Sequence, residues 1–325
     1  MRIASFNLEN LTDKPGNGVP FSARLDLLRP QLLRLSADVL CLQEVDANKP
    51  GKGTPRRLDA LRQLIETTPY EKFHLVSTRD EKSGHPRDKH NLVILSRWPI
   101  ETYGQYQCDL VEPPCYRTAT SAPPEPRQRP VEWDRPILHV TLAMPQGVRL
   151  HLVNMHLRAP LAAPVPGQKR GPFSWNSVPG WAEGFFLAAV KRSGQALEAR
   201  LLVDRLFDDD PNALIMLAGD FNAEEREVPL RIVTGNVEDT GNGHLASRGL
   251  VLLEHSLAAA RCFTVIHRGQ RLMLDHLLVS RQLMARYRGI EVHNEALGDE
   301  LIAYTLTEAA PESYHAPLVA SFDLA

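Results

Sequence analysis

The chain has 325 residues, 43% hydrophobic and 23% charged, a globular composition that excludes a disordered or low-complexity protein. Lysine and arginine number 37 against 39 acidic residues, a net charge of −2, so no strong field marks a polyanion-coating protein, although local phosphate binding stays open. The opening Met1-Arg2-Ile3-Ala4-Ser5-Phe6 has no signal-peptide pattern and no later apolar run reaches membrane length, so the expectation is a soluble cytoplasmic protein without a transmembrane segment.

Met1–Phe6 reads as a buried strand ending at Asn7. Leu25, Leu28, Leu32 and Leu35 recur at helical spacing, and Pro30 either kinks that helix or falls in the first turn of one beginning near Leu27. Asp38–Leu42 is a short apolar run that ends on Gln43-Glu44. A second helix is expected over Arg56–Glu66, with strands over Phe73–Ser77 and Asn91–Ser96. Residues 112–136 hold seven of the 25 prolines and read as a loop insertion, because strand patterns resume on both sides. Ile137–Ala143 and Val148–Asn154 form a predicted hairpin turning at Pro145-Gln146-Gly147. A second Pro/Gly-rich insertion, at about 159–180, precedes a helix from about Trp181 to Phe207 in which Gly194 is a candidate break. Strands over Leu214–Leu217, Met273–Val279, Gly289–His293 and Pro317–Phe322 complete the set. Strands spread end to end, mostly without crossover-length helices between them, predict an α/β protein with two packed mixed sheets flanked by helices, in one domain over 1–325. The four cysteines lack zinc-ligand spacing and read as free thiols, Cys108 and Cys115 forming a loop disulfide only in an exported protein.

Five apolar runs terminate abruptly in residues able to bind a hard cation or a phosphate: Asn7-Leu8-Glu9-Asn10, Gln43-Glu44, Asn154-Met155-His156-Leu157-Arg158, Gly219-Asp220-Phe221-Asn222, and Asp275-His276 with the later Ser313-Tyr314-His315. A carboxylate buried at a strand end needs a partner, since desolvating it alone costs several kcal/mol or more. Mg²⁺, an oxygen-seeking ion, suits such carboxylates and amides, while histidine in the same cleft handles protons and contacts phosphate. Carboxylates, amides and histidines at these ends, with no cysteine among them, favour Mg²⁺-assisted phosphoryl chemistry over a zinc site. Taken singly, each run has a structural reading: Glu44 as a capping residue, Asp220-Phe221-Asn222 as an Asx turn, His156 and His315 as satisfied core histidines, Lys169-Arg170 as a solvated pair. Their coincidence in one chain is what points to a site.

In this order the segments SFNLEN (5–10), LCLQEVD (40–46), NLVILSRWPI (91–100), VNMHL (153–157), AGDFNAE (218–224), LDHLLVS (274–280) and SYHAPL (313–318) resemble the endonuclease/exonuclease/phosphatase superfamily, over nearly the whole chain outside the two insertions. The resemblance implies a four-layer α/β/β/α sandwich of the deoxyribonuclease I type. It implies that Asn7 and Glu44 form the metal end of the site, with Glu44 the principal Mg²⁺ ligand and Mn²⁺ a substitute ion. By the same resemblance Asp220 orients or deprotonates the attacking water and Asn222 steadies the phosphate. His156 contacts the scissile phosphate and serves as a proton donor to the leaving oxygen. His315 hydrogen-bonds the phosphate and is oriented by Asp275. One position departs from the family's Ser-Asp-His ending: Tyr314 puts a neutral phenol where an aspartate would add a metal contact. That departure keeps open a catalytically impaired binding or scaffold protein on the same fold.

The expected activity is metal-dependent hydrolysis of a phosphodiester, with DNA or RNA as the first substrate class and a phosphoinositide, sphingomyelin or small-molecule phosphoester as the second. Arg158, Lys169, Arg170 and Tyr314 are the candidate substrate-binding residues, with Arg117, Arg127, Arg129 and Trp175 as further cationic and aromatic groups in the insertions. Phe173, Trp175, Trp181, Phe185 and Phe186 are candidates for an apolar rim, the last three fitting a buried helix face equally well.

Overall fold

The computed structural model describes residues 1–14, 19–171, 174–300 and 312–324, so Phe173 lies outside the described residues. β1 (Arg2–Leu11), β2 (Val39–Val45), β3 (His74–Ser77) and β4 (Asn91–Ser96) belong to one six-stranded sheet. β5 (Ile100–Tyr106), β6 (Ile137–Ala143), β7 (Arg149–His156), β8 (Leu214–Asp220), β9 (Leu250–Leu252) and β10 (Asp275–Ser280) form a second. β11 (Tyr287–Val292) and β12 (Leu318–Phe322) return to the first, giving the orders β11-β12-β1-β2-β4-β3 and β9-β10-β8-β7-β6-β5. Each sheet holds a parallel pair, β1 with β2 and β7 with β8, among antiparallel neighbours. A parallel pair brings two carboxyl ends to the same edge, and that edge is where the polar runs lie.

Period-two alternation sends one set of strand residues between the sheets and the other outward. Ile3, Val39 and Cys41 meet Val140, Leu152 and Met216 in the central core. Phe6, Leu40 and Leu42 pack outward on Leu28, Leu32 and Leu61 of α1 (Phe21–Leu35) and α2 (Asp59–Ile65). Val153, Ile215 and Leu217 pack on Ala199, Val203 and Phe207 of α3 (Val178–Asp209), with Leu230 of α4 (Val228–Thr234). The layers are therefore α/β/β/α, as expected.

Several element limits differ from the sequence reading. α1 begins at Phe21 and carries Pro30 inside it, because Leu28, Leu32 and Leu35 are fully buried and their packing holds the helix across the lost hydrogen bond. α2 is shorter than expected, starting at Asp59. α3 runs uninterrupted through Gly194, whose missing Cβ makes room for Trp133: a Cβ there would stand 2.5 Å from the indole Cζ3. Trp175 uses Gly184 in the same way, at 2.8 Å, so each insertion seats a tryptophan on α3. The insertions also meet each other, with the Ala122 N–H donating to the Pro166 carbonyl at 3.0 Å.

Gln195 Nε2 donates to the His156 carbonyl at 3.4 Å, which levels that turn of α3 with the end of β7. Trp181, fourteen residues earlier, lies about 21 Å further along the helix axis at 1.5 Å per residue. The first half of α3 therefore projects past the strand ends. Trp181, Phe185 and Phe186 are 45%, 44% and 48% exposed, so they do not form a buried helix face. Trp181 and Phe185 stack with ring centroids 5.5 Å apart.

Candidate active site

The alternation that builds the central core also delivers the polar side chains. On β1, Asn7 follows Ile3 at even spacing and so faces the second sheet. On β7 the phase of Leu150 and Leu152 carries Asn154 and His156 toward the first sheet. On β8 the phase of Met216 and Ala218 carries Asp220 inward, and on β10 the phase of Leu277 and Val279 does so for Asp275. Glu44 breaks the pattern. Leu40 and Leu42 face α1, so strict alternation would send Glu44 outward as well; instead Glu44 has φ +57°, the β2 register shifts between Leu42 and Val45, and Val45 rejoins the outward face. Gly219 permits the closest approach at this edge, since a Cβ there would stand 1.9 Å from the Met155 carbonyl oxygen. Glu9, Asn10, Glu44, His90 and Asn222 all adopt positive φ, a conformation that non-glycine residues keep where function or packing enforces it.

These residues form one connected network. Asn7 Nδ2 donates to Glu44 Oε1 at 3.3 Å and to Asp220 Oδ2 at 3.1 Å. Glu44 Oε2 accepts from the Asn10 N–H at 3.0 Å. Asp220 accepts from the Asn222 N–H and from Asn222 Nδ2, both at 2.8 Å. His156 Nε2 lies 3.3 Å from Asp220 Oδ2 and 3.7 Å from Glu44 Oε1. His315 Nδ1 pairs with Asp275 Oδ2 at 2.8 Å, and its Nε2 faces Asp220 Oδ2 at 4.0 Å. Behind this layer, Gln43 Nε2 donates to Asn154 Oδ1 at 2.7 Å, and Asn154 Nδ2 donates to the Leu42 and Val93 carbonyls at 3.0 Å, bolting the two sheets together beneath the site.

The electrostatics divide the two histidines. Burial disfavours the His315 imidazolium, but Asp275 and Asp220 outweigh it and raise its pKa well above the ordinary value, so it is cationic at neutral pH. Burial lowers the pKa of His156 well below the ordinary value, and the charges of Arg135, His90 and His315 add to the effect, so it is neutral. Burial pushes the Asp220 carboxyl up to about 7 against the lowering influence of His315. The arrangement offers a base, an imidazolium and an acidic amide-lined rim within one cleft.

Asn7, Glu44, His156, Asp220, Asn222, Asp275 and His315 are thus brought together. Arg158 stands just beyond β7 with Nη1 bonded to Asp134 Oδ2 at 2.5 Å. Lys169 and Arg170 occupy a turn of the second insertion rather than the strand ends, Lys169 lying over the Trp175 ring at 5.2 Å and Arg170 Nε donating to Asn176 Oδ1 at 2.5 Å. Tyr314 is buried, and it is its backbone N–H that enters the network, donating to Glu9 Oε2 at 2.8 Å.

Glu9 was not singled out by sequence reasoning, although it lies in SFNLEN. Burial pushes its carboxyl up to about 7, the Tyr314 N–H and His315 opposing and Glu44 reinforcing the rise. A carboxylate absent at position 314 is therefore present two residues after Asn7. Arg24 of α1 holds that turn, donating to the carbonyls of Leu8, Glu9 and Asn10. Arg135 is a second addition: half-buried beside the site, it donates to the Leu157 carbonyl at 2.9 Å and feels Glu44 and Asp220. His276, named beside Asp275 in the sequence, has a supporting place: Nδ1 pairs with buried Glu254 and Nε2 donates to the Ala223 carbonyl at 2.8 Å, bracing the turn that holds Asp220 and Asn222. No local sequence signal marks Arg135 or Glu254, because both reach the site only through sheet packing.

A model of the Endonuclease/Exonuclease/phosphatase family matches residues 4–299. No curated protein matches the chain in sequence. Among solved structures it is similar to an endonuclease/exonuclease/phosphatase from Bacteroides vulgatus, with 15% identity, a TM-score of 0.59, and 100% and 98% of the two chains covered. A 3'-5' exonuclease from Neisseria meningitidis gives 18% identity and a TM-score of 0.52 over 99% and 100% of the chains. A mannosyl-6-phosphatase from Bacteroides thetaiotaomicron gives 14% and 0.59 over 99% of each. These likenesses show the fold.

Proposed function

This chain belongs to the endonuclease/exonuclease/phosphatase family, and on that premise we propose that it is a divalent-metal-dependent phosphodiesterase acting on nucleic acid. The observation that carries the reading is the convergence of Asn7, Glu44, Asp220 and the Asp275–His315 pair, drawn from five strand ends of two sheets, into one hydrogen-bonded cleft. The donor set fits a divalent cation: Glu9 lies near enough to Glu44 for that charge to raise its pKa, and Asn7 stands beside Glu44. Glu44, Asn7 and Glu9 would hold such an ion, which when bound neutralises charge on phosphate oxygens.

Asp220, with its carboxyl near neutrality, accepts the proton of an attacking water that Asn222 helps to align. His315, cationic and fixed by Asp275, donates to a phosphate oxygen and is the better-placed acid of the two histidines. His156, being neutral, supports the phosphate as a hydrogen-bond donor, which shifts the proton-donor role away from it. Arg135 and Arg158 supply positive charge beside the cleft, and the projecting Trp181 and Phe185 offer stacking surface, as a nucleic-acid track requires. The same exposed aromatic face favours a second reading, a lipid phosphodiester.

A panel of single-stranded DNA, duplex DNA, RNA, sphingomyelin vesicles and phosphoinositide vesicles, with Mg²⁺ and after chelation, tests both. Cleavage of a nucleic acid that stops with chelator is expected. Turnover of a lipid alone moves the assignment to the second reading. Glu44→Gln and His315→Ala are each expected to abolish hydrolysis with an unchanged fold, and full activity in either removes the site.

A further inference from the structure

His90 immediately precedes β4 and belongs to none of the roles above. Its N–H donates to Asp46 Oδ1 at 3.1 Å, which holds the backbone at φ +55° and turns the ring toward Glu44. Nδ1 then stands 3.7 Å from Glu44 Oε2. That atom is buried and has no hydrogen-bond partner, although an acceptor-rich carboxylate lies directly before it. A separation of 3.7 Å exceeds the roughly 2.7–3.2 Å of a hydrogen bond. Two ligands bound to one ion at about 2.1 Å, by contrast, stand from about 3.0 Å apart at a right angle to about 4.2 Å when opposed, a span that includes this separation. Donor atoms of Glu44, His90 and His156 all fall within 4.8 Å of one another. Of the two imidazoles, His156 turns Nε2 closer to Asp220 Oδ2, at 3.3 Å, than to Glu44 Oε1, at 3.7 Å. His90 Nδ1 faces Glu44 without such a competitor.

We propose that His90 Nδ1 is a nitrogen ligand, beside Glu44, in the divalent-ion site, and that this ligand makes the site favour Mn²⁺ over Mg²⁺. The inference rests on the reading of Glu44 as a metal ligand and adds the ion that the site selects. Magnesium takes oxygen donors and keeps its waters, whereas a first-row transition ion gains from an imidazole. The left-handed backbone at His90 allows a clean substitution, since asparagine adopts that conformation readily and carries no ring nitrogen.

The test uses the full chain, stripped of metal and titrated with Mn²⁺ and with Mg²⁺, in wild type and His90→Asn. Electron spin-echo modulation of bound Mn²⁺ is expected to show ¹⁴N coupling in wild type and none in His90→Asn. The variant's Mn²⁺ dissociation constant is expected to rise about tenfold or more with that for Mg²⁺ within about twofold of wild type. Absence of ¹⁴N coupling in wild type overturns the proposal whether or not the variant folds. Undiminished coupling in a folded His90→Asn overturns it too, placing the nitrogen on His156. If Mn²⁺ supports hydrolysis without ¹⁴N coupling, the ligand assignment falls and the phosphodiesterase reading stands; ¹⁴N coupling without any hydrolysis does the reverse.

Discussion

Asn7 and Asp220, 213 positions apart and on different sheets, meet through a hydrogen bond of 3.1 Å from the amide Nδ2 to Oδ2. The same amide donates to Glu44, so one side chain sets the spacing between the base and the metal end of the cleft. Asn7→Ala leaves Asp220 its two bonds from Asn222 but frees the carboxylate to turn. We expect the phosphodiesterase rate to fall about 10²–10³-fold, as for loss of one preorganised donor. The stability cost should be only about 1–3 kcal/mol. A rate loss that merely tracks the unfolded fraction would assign Asn7 a structural role.

The charge of His315 depends on the carboxylate behind it. Asp275→Asn removes the larger of the two attractions that outweigh burial, so the imidazole should titrate at lower pH. Proton-detected titration of His315 in the metal-free variant checks this directly. The hydrolysis rate should drop at least about 10²-fold, the usual scale for a lost acid. An unmoved titration would show that Asp275 orients the ring without setting its charge.

Glu9 supplies a carboxylate where Tyr314 offers none. Glu9→Gln keeps the size and the acceptor for the Tyr314 N–H but removes the charge. Calorimetric titration with Mg²⁺ should show affinity weakened about tenfold, ~1.4 kcal/mol, with the melting temperature of the metal-free chain equal to or above wild type. Equal affinity in both proteins would leave Glu44 and Asn7 as the whole oxygen set.

What could be read from the chain and what could not follows from the range of the interactions. Strand phase is local, so the polar ends at Asn7, His156, Asp220 and Asp275 were visible as interruptions of period-two apolar runs, and the structure brings them to one edge. The strand distribution already points to two packed sheets flanked by helices, and the resemblance agrees with it. Glu9 and His90 escaped because each sits at a positive φ and its side chain finds its neighbour only in the fold, the Tyr314 N–H for Glu9 and the Glu44 carboxylate for His90. Gly194 is a candidate helix break in the sequence because glycine is a poor helix former, whereas its role is set by a tryptophan 61 positions away. Trp181, Phe185 and Phe186 fitted a buried face by periodicity; the sheet they would cover ends before the helix does.

His139 gives a pH dependence of stability remote from the cleft. It lies buried on β6, with Nε2 3.2 Å from Nδ1 of His151 on the adjacent β7. Burial, followed by the charge of His151, lowers its pKa from 6.5 to about 4. From about pH 6.5 down to 4 the unfolded chain takes up a proton that the folded chain refuses, so stability falls as pH falls; above 6.5 the contribution is nil. The full span is about 3 kcal/mol. His139→Gln does not titrate, so its deficit against wild type in urea unfolding should shrink by about that amount between pH 7.5 and 4. A constant deficit would mean that His139 takes up its proton in the folded state.

Gly194→Ala sets two effects of opposite sign against each other. Alanine in a helix interior is worth about 1 kcal/mol over glycine. The added Cβ, however, would stand 2.5 and 2.7 Å from Cζ3 and Cε3 of Trp133. That ring is almost wholly buried, and its Nε1 donates to Glu198 Oε2 at 2.6 Å, so it cannot swing aside without leaving a carboxylate that also accepts from the N–H groups of Cys108, Asp109 and Leu110. Overpacking of this kind costs about 1–3 kcal/mol, and breaking a bond to a buried carboxylate would cost about as much again. Overpacking should win, lowering the melting temperature by a few degrees. Protection of the 108–110 amides from hydrogen exchange should fall with it, because they share the carboxylate that the ring would drag. A rise in melting temperature would show that α3 shifts to admit the methyl group and that the tryptophan seat is looser than these distances require.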